Sequence, residues 1–116
     1  MHGDGAQTRS FCFVDDLVEG LIRLMETPDQ VTAPINLGNA NEFSMIELAQ
    51  TIIDKTRSTS KIVHLPLPAD DPKQRAPDIS NAQESLGWRP TVELRAGLER
   101  TIRYFRDIVP RRLVEA

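Results

Sequence analysis

Apolar residues recur along this chain both in short extended runs and at the spacing of helices. In residues 8–14, Phe11 and Phe13 lie on one side of an extended segment, which predicts a β-strand. Two shorter apolar runs, at residues 34–37 and 61–65, also predict strands. Three short strands make a poor self-sufficient sheet, because the edges and faces of such a sheet need cover.

The first helix is predicted just after the first strand. Asp16 is predicted to be its N-cap, and Glu19, three residues later, completes a capping box that satisfies exposed backbone N–H groups. The helix is expected to run to about Glu26, before the Thr27-Pro28 pair. Its apolar stripe consists of Leu17, Leu21, Leu24 and Met25.

Two further helices have recognisable ends in the sequence. Ser44 is predicted to cap the second helix, and Glu47 stands where it completes another capping box. Ser80 is predicted to cap a short third helix, which Gly87 closes at the C′ position. Both predictions depend only on residues that are close together in the chain.

The fourth helix is predicted from a long apolar stripe. It is expected to begin near Val92 and to be limited by Pro110, so that residues 111–116 form a frayed tail. The stripe is expected to be core or a partner interface. It consists of Leu94, Leu98, Ile102, Phe105 and Val109.

A polar, proline-rich segment at residues 66–79 lies between the third strand and the third helix. Its prolines exclude a long helix and stiffen an extended connection. A connection of this length is usually either functional or disordered. The element order is therefore β-α-β-α-β-loop-α-α, which predicts one small mixed α/β domain over residues 1–116.

Composition narrows the possible functions. The chain has 116 residues and a net charge of −3 without a basic tract, which argues against a nucleic-acid partner. The single cysteine, Cys12, cannot form an internal disulfide and is expected to be a small apolar residue of a buried strand. With only His2 and His64 as histidines, no metal site is expected. The cysteine usage fits the cytoplasm, and no apolar stretch is long enough to predict a membrane span.

Several motifs together resemble one enzyme family. Residues 3–11 (GDGAQTRSF) and 14–17 (VDDL) are similar to the segment that opens the substrate-binding half of the extended short-chain dehydrogenases/reductases. Residues 35–39 (INLGN), 70–79 (DDPKQRAPDI) and 86–90 (LGWRP) resemble later parts of the same half. The forms QTRSF and DDPKQRAPDI are most similar to the UDP-glucuronate decarboxylases. Another nucleotide-sugar epimerase or 4,6-dehydratase is the alternative.

The resemblance implies that this chain is the C-terminal, sugar-nucleotide-binding part of an enzyme with a Rossmann-type fold. Such enzymes bind NAD at a glycine-rich βαβ turn and use a Tyr-x-x-x-Lys pair. Neither feature is in this sequence, whose one tyrosine, Tyr104, is followed four positions later by Ile108. The chain is therefore expected to lack the NAD-binding core, to bind no NAD and to be inactive alone. The parent enzyme is expected to use NAD to convert UDP-glucuronate to UDP-xylose and CO₂.

The resemblance also implies a binding site for the pyrophosphate of a UDP-sugar. It assigns Arg9 and Arg75 to this group, because guanidinium groups match phosphate oxygens in planar, two-pronged geometry. From the residues alone, a solvent-facing or ion-paired role is the simpler interpretation of each arginine. Gln7 and Thr8 are either ligand contacts or ordinary turn and strand polarity. His2 matches a position near the nucleotide base, but at the chain terminus it is expected to be disordered.

The remaining expectations concern single residues and self-association. No catalytic residue is expected here, apart from an electrostatic role of Arg75 near developing negative charge. Asp78 is expected either to position Arg75 or to close the next turn, and Trp88 to anchor the packing. Absence of an N-terminal Rossmann domain exposes apolar surface, so a homodimer, with or without exchanged elements, is predicted. A non-enzymatic, self-associating fragment is a further alternative.

Overall fold

The computed structural model describes residues 1–115, which form three short strands and four helices. The strands form one sheet in the order β2-β1-β3, with β2 antiparallel and β3 parallel to β1. The predicted mixed α/β class is confirmed. The strands are β1 (Thr8–Ser10), β2 (Glu42–Ser44) and β3 (Gln74–Arg75). The helices are α1 (Val14–Met25), α2 (Met45–Thr56), α3 (Ser80–Leu86) and α4 (Leu94–Glu115).

The predicted strand at residues 8–14 is longer than the one that forms. β1 ends at Ser10, and the segment that follows is extended without sheet pairing. The predicted strand at residues 34–37 is wrong, because this segment lies outside the sheet. Its apolar residues Ile35 and Leu37 pack against the core instead. Their apolar character therefore reflects side-chain burial and not strand pairing.

The predicted strand at residues 61–65 is also absent from the sheet. Leu65 forms only an isolated parallel bridge with His2. Gly3 N donates to Leu65 O over 2.7 Å, and Leu65 N donates to Met1 O over 2.6 Å. The expectation of a disordered His2 is therefore wrong, since backbone hydrogen bonds to a distant segment hold the N-terminus in place.

β3 forms inside the proline-rich segment, where the sequence predicts a loop. It contains only two residues, and Pro72 and Pro77 lie on either side of it. Thr8 N, in β1, donates to Lys73 O over 2.8 Å just before the strand begins. Because proline has no N–H to donate to a ladder, the flanking prolines keep this edge strand short.

Asp16 is not the N-cap of α1, contrary to prediction. The helix starts earlier, with Phe13 at the N-cap position and no side-chain cap. Asp16 lies within the first turn and is 7% exposed. Its carboxylate accepts hydrogen bonds from Thr91 N, Thr91 Oγ1 and Val92 N over 3.0, 2.8 and 2.9 Å. These three donors lie 75 or 76 positions further along the chain, so a non-local contact replaces the predicted local one.

α1 turns its small, polar face inward and its apolar stripe outward. Gly20 is buried, and a Cβ at this position would lie 2.9 Å from Leu37 Cδ1 and 3.1 Å from Trp88 Cε2. In contrast, Leu21 and Met25 are 47% and 84% exposed. The close approach at Gly20 requires a residue without a side chain, and it fixes which face of the helix meets the core.

α2 begins as predicted. Ser44 Oγ accepts from Glu47 N over 3.2 Å, and Glu47 Oε2 accepts from Ser44 N over 3.0 Å, which is a complete capping box. The two hydrogen bonds from Ser44 lower the pKa of the exposed Glu47 carboxyl. The helix ends at Thr56, and its C-cap residue, Arg57, adopts the left-handed conformation with φ 53°.

α3 has the predicted length but a different start. Ser80 is its first helical residue and does not cap it. Asp78 Oδ1 accepts from Ser80 N over 3.0 Å and from Ser80 Oγ over 2.6 Å, and these bonds lower the pKa of Asp78. Of the two roles expected for Asp78, the structure supports closure of this turn. Gly87 ends the helix in the left-handed conformation with φ 59°, as predicted.

The core is centred on Trp88, which is 2% exposed and acts as the predicted packing anchor. Its indole Nε1 donates to Asp16 O over 2.8 Å, which satisfies the buried N–H. Among residues 1–109, Ile79 and Ala82 are the other buried apolar residues of this cluster. Cys12 packs against this cluster, half-buried beyond the end of β1, and burial together with the Asp16 charge raises the pKa of its thiol.

α4 extends past the predicted limit. It continues through Pro110 to Glu115, and Ala116, the last residue of the predicted frayed tail, lies outside the described residues. The N-terminal half of its apolar stripe is half-buried, whereas Phe105 and Val109 are exposed. No helix in residues 1–115 is both long enough and apolar enough to cross a membrane.

Candidate functional site

The sheet places two arginines side by side. Arg9 in β1 and Arg75 in β3 are register partners in the parallel pair. Partners in adjacent strands have side chains on the same face of the sheet, with backbones about 4.8 Å apart. The two arginines that the sequence analysis assigns to one ligand therefore lie next to each other, although they are far apart in the sequence.

An open cavity of about 370 Å³ adjoins this pair. A volume of this order is within the range of small-molecule sites. Two cationic side chains, one hydroxyl and one amide contribute to the lining, so the cavity offers several donors to an anionic ligand. The lining residues are Arg9, Ser10, Asn36, Arg75, Ala76 and Pro77.

The two arginines differ in their surroundings. Arg75 is exposed, as are both residues of its strand. Arg9 is part-buried: its Nη2 donates to Asp71 Oδ1 over 2.6 Å, and its Nη1 donates to Thr8 O over 2.7 Å. The Asp71 carboxylate and the Arg9 guanidinium form an ion pair whose side chains are 27% and 23% exposed. One arginine is thus held by the protein, and the other is free to adapt.

The other predicted ligand contacts are bound to neighbours on the protein. Gln7 Nε2 donates to His2 O over 2.9 Å, and Thr8 Oγ1 donates to Glu42 Oε1 over 2.9 Å. His2 Nδ1 is hydrogen-bonded to Pro66 O over 3.1 Å. None of these three side chains is among those that line the cavity beside the arginines. Their contact with a nucleotide stays a prediction.

Three polar residues in or beside the site, Ser10, Asn36 and Asp71, were not predicted from the sequence as ligand-site residues. Ser10 follows Arg9 in β1, and Asn36 lies in the segment that was predicted to be a strand. Asp71 belongs to the acidic part of the proline-rich segment. A carboxylate in the same motif as Arg75 was a sequence signal for an ion pair, but the sequence does not tell which arginine it binds.

Comparisons of the sequence and of the structure with known proteins point to the same enzyme family. The sequence model of the family described as GDP-mannose 4,6 dehydratase matches residues 1–101. UDP-glucuronic acid decarboxylase 3 of Arabidopsis thaliana is 55% identical over 94 residues, which are 81% of this chain and 27% of that protein. The chain spans about a quarter of the length of the curated relatives it matches.

Solved structures share the fold. An epimerase from Methanothermobacter thermautotrophicus superimposes with a TM-score of 0.87 at 34% identity, covering 92% of this chain and 32% of that one. The UDP-glucuronic acid 4-epimerase of Bacillus cereus, solved in complex with UDP-glucuronic acid and NAD, superimposes with a TM-score of 0.83 at 30% identity. That match covers 93% of this chain and 35% of the epimerase.

Proposed function

This chain belongs to the GDP-mannose 4,6 dehydratase family, and from this premise we propose that it supplies the sugar-nucleotide-binding part of an NAD-dependent UDP-glucuronate decarboxylase. Within the extended short-chain dehydrogenases/reductases it is close to the UDP-glucuronate decarboxylases, with 50% or more identity to several of them. The ligand that we propose for the chain is a UDP-sugar, and the reaction of the parent enzyme is conversion of UDP-glucuronate to UDP-xylose and CO₂.

The observation that carries this proposal is the pairing of Arg9 with Arg75 across two parallel strands. A pyrophosphate presents two negative charges on neighbouring phosphoryl groups. Two guanidinium groups on one face of a sheet can each bind phosphate oxygens through parallel N–H donors. The net charge of the chain is −3, but the two guanidinium groups exceed the one carboxylate that is ion-paired with them, so the site is locally positive. An anionic ligand is therefore better suited to it than a neutral one.

The residues of this chain do not fit NAD. The family binds NAD at a glycine-rich βαβ turn, and no sequence of that kind is among these 116 residues. The hydride chemistry that NAD supplies when bound is therefore assigned to residues outside this chain, and the chain alone is proposed to be inactive. Release of CO₂ from UDP-glucuronate by the chain alone would contradict this assignment.

The proposed role of Arg75 is electrostatic. Arginine has a pKa above about 12 and does not readily release a proton, so it is a poor general acid. A fixed positive charge near the sugar phosphates or the carboxylate stabilises negative charge without proton transfer. We therefore assign substrate binding to Arg9 and Arg75 and no proton-transfer step to either residue.

A nucleotide-sugar epimerase is the second candidate for the parent enzyme. The observation that favours it is the close superposition with epimerases at 30–34% identity. The identities to the decarboxylases are higher, at 50–55%. The residues beside the Tyr-x-x-x-Lys pair of the full enzyme would discriminate between the two.

Binding of UDP tests the proposed ligand site. The chain is expected to bind UDP weakly, and Arg75→Ala is expected to reduce the affinity by roughly tenfold or more, because a charge-assisted contact is lost. Isothermal titration calorimetry measures both proteins, and Arg89→Ala, at another exposed arginine, is the control. Equal UDP affinity of Arg75→Ala and the unaltered chain would contradict the proposed site.

The outward apolar face of α1 is the second surface with a proposed role. It consists of exposed apolar side chains along one helix: Val14, Leu17, Val18, Leu21, Ile22 and Met25. A continuous patch of this kind usually marks a contact surface. In a full-length parent enzyme we propose that it contacts the Rossmann domain. In the isolated chain a second copy is the available apolar partner, so we propose a homodimer through this face.

Light scattering after size-exclusion chromatography tests the dimer. The unaltered chain is expected to elute as a dimer, and Leu21→Asp as a monomer, because a carboxylate in the interface would be desolvated without a partner. The matched control is Val63→Asp, which places the same charge at an exposed apolar residue outside α1 and should leave the dimer intact. A monomeric unaltered chain that binds no hydrophobic dye would rule out this interface.

A further inference from the structure

We propose that Asp71 is a positioning residue that holds the Arg9 guanidinium ready for a nucleoside diphosphate, an inference that rests on the function proposed above. The observation is the ion pair between Arg9 Nη2 and Asp71 Oδ1, at 2.6 Å. Arg9 Nη1 is held as well, by Thr8 O at 2.7 Å. Both terminal nitrogens of this guanidinium therefore have a protein partner.

Asp71 is placed so that it can orient Arg9 without competing with a ligand for the cavity. Arg9 lines the cavity beside Arg75, but Asp71 is not among the lining residues. The carboxylate thus contacts Arg9 without occupying the space that a ligand would fill. A guanidinium has five N–H donors, and the contacts with Asp71 and Thr8 leave others free for phosphate oxygens.

Asp71 is itself fixed in place by the backbone. Its N–H donates to Pro68 O over 3.3 Å, so it lies in a turn of the proline-rich segment, shortly before β3. The same segment carries Arg75 into the sheet beside Arg9. One stretch of chain therefore supplies both the second arginine of the site and the carboxylate that orients the first.

The electrostatic repulsion between the two arginines is a second reason for a carboxylate at this position. Arg9 and Arg75 are neighbours on one face of the sheet, and their like charges repel when no ligand is bound. Asp71 offsets part of this repulsion while the site is empty. It also removes rotational freedom from the long Arg9 side chain, so that less conformational entropy is lost when a ligand binds.

A double-mutant cycle on UDP affinity tests the inference. Asp71→Asn is expected to weaken UDP binding about three- to tenfold, the cost of ordering one free side chain on binding. In an Arg9→Ala background, Asp71→Asn is expected to weaken binding no further, because the group it orients is gone. Asp71→Glu is expected to restore most of the affinity, and Asp70→Asn, at the exposed neighbouring carboxylate, to leave it unchanged. Thermal unfolding midpoints show that each variant is folded.

The outcomes distinguish this inference from the proposed function. UDP binding by Asp71→Asn that is as tight as that of the unaltered chain would overturn the positioning role, and tighter binding would show instead that the Asp71 carboxylate repels the diphosphate. The same weakening with and without Arg9 would also overturn it, because the effect would then be independent of the guanidinium. Absence of UDP binding to the unaltered chain would overturn the proposed function and, with it, this inference.

Discussion

Replacement of Asp16 by alanine is expected to destabilise the chain by about 3 to 5 kcal/mol, a large part of the stability of a domain of this size. Asp16 is 7% exposed, and its carboxylate accepts hydrogen bonds from Thr91 N, Thr91 Oγ1 and Val92 N. Alanine removes the carboxylate, so these three donors lose their hydrogen-bond acceptor. The contact joins α1 to the segment just before α4, so its loss would weaken the packing between them.

Asp16→Asn is expected to destabilise the chain less, by about 1 kcal/mol. Its carbonyl oxygen can keep the backbone donors that Oδ2 accepts, and its amide can donate to the Thr91 hydroxyl. Asp15→Ala is the matched control, since Asp15 is the exposed neighbour. Its replacement should change the stability by no more than about 0.5 kcal/mol. Urea unfolding followed by fluorescence of the one tryptophan measures all three. Equal stabilities of Asp16→Ala and Asp15→Ala would refute the bridging role of Asp16.

Trp88→Ala is also expected to lower the free energy of unfolding by about 3 to 5 kcal/mol, because it opens a cavity at the centre of a small core. The substitution also removes the indole N–H that donates to Asp16 O. Ile79 and Ala82 would lose their main packing partner. Since few of the side chains whose burial the structure describes are fully buried, the rest of the core cannot compensate for the loss of one large side chain.

Trp88→Phe separates the two contributions, because phenylalanine keeps part of the apolar volume but has no N–H donor. The stability of Trp88→Phe is expected to lie between that of the unaltered chain and that of Trp88→Ala. Tyr104→Ala, at an aromatic residue that is 60% exposed, is the control and should cost less than about 1 kcal/mol. Circular dichroism follows the unfolding, since the tryptophan is absent from two variants. A Trp88→Ala chain as stable as Tyr104→Ala would refute the assignment of Trp88 as the packing anchor.

The helix ends show what can be predicted locally. The capping box of α2 was predicted because both partners, Ser44 and Glu47, are three residues apart and bind each other's backbone. The left-handed end of α3 was predicted because glycine adopts a positive φ without strain. Asp16 and Glu19 have the same spacing as the α2 pair, yet no capping box forms. The donors that Asp16 binds instead lie 75 and 76 positions away, beyond any local pattern.

The candidate site was predicted only in part. The resemblance to a known family assigned Arg9 and Arg75 to one ligand, and the register of β1 and β3 makes them neighbours. Asp71 and Asn36 were missed because neither has a local pattern that points to Arg9. Their roles follow from how the proline-rich segment and the segment before β2 pack around the sheet.

By itself, the sequence determined the approximate positions of the four helices, the capping box at the start of α2, the glycine that ends α3 and the aromatic anchor of the core. Each of these depends on side-chain chemistry within a few residues, or on the size of one apolar group. Only the tertiary structure decided which strands pair, which face of α1 is exposed and which carboxylate holds Arg9. These features depend on contacts between segments distant in the chain, whose free energies are set by packing and hydrogen bonding in three dimensions and not by local spacing.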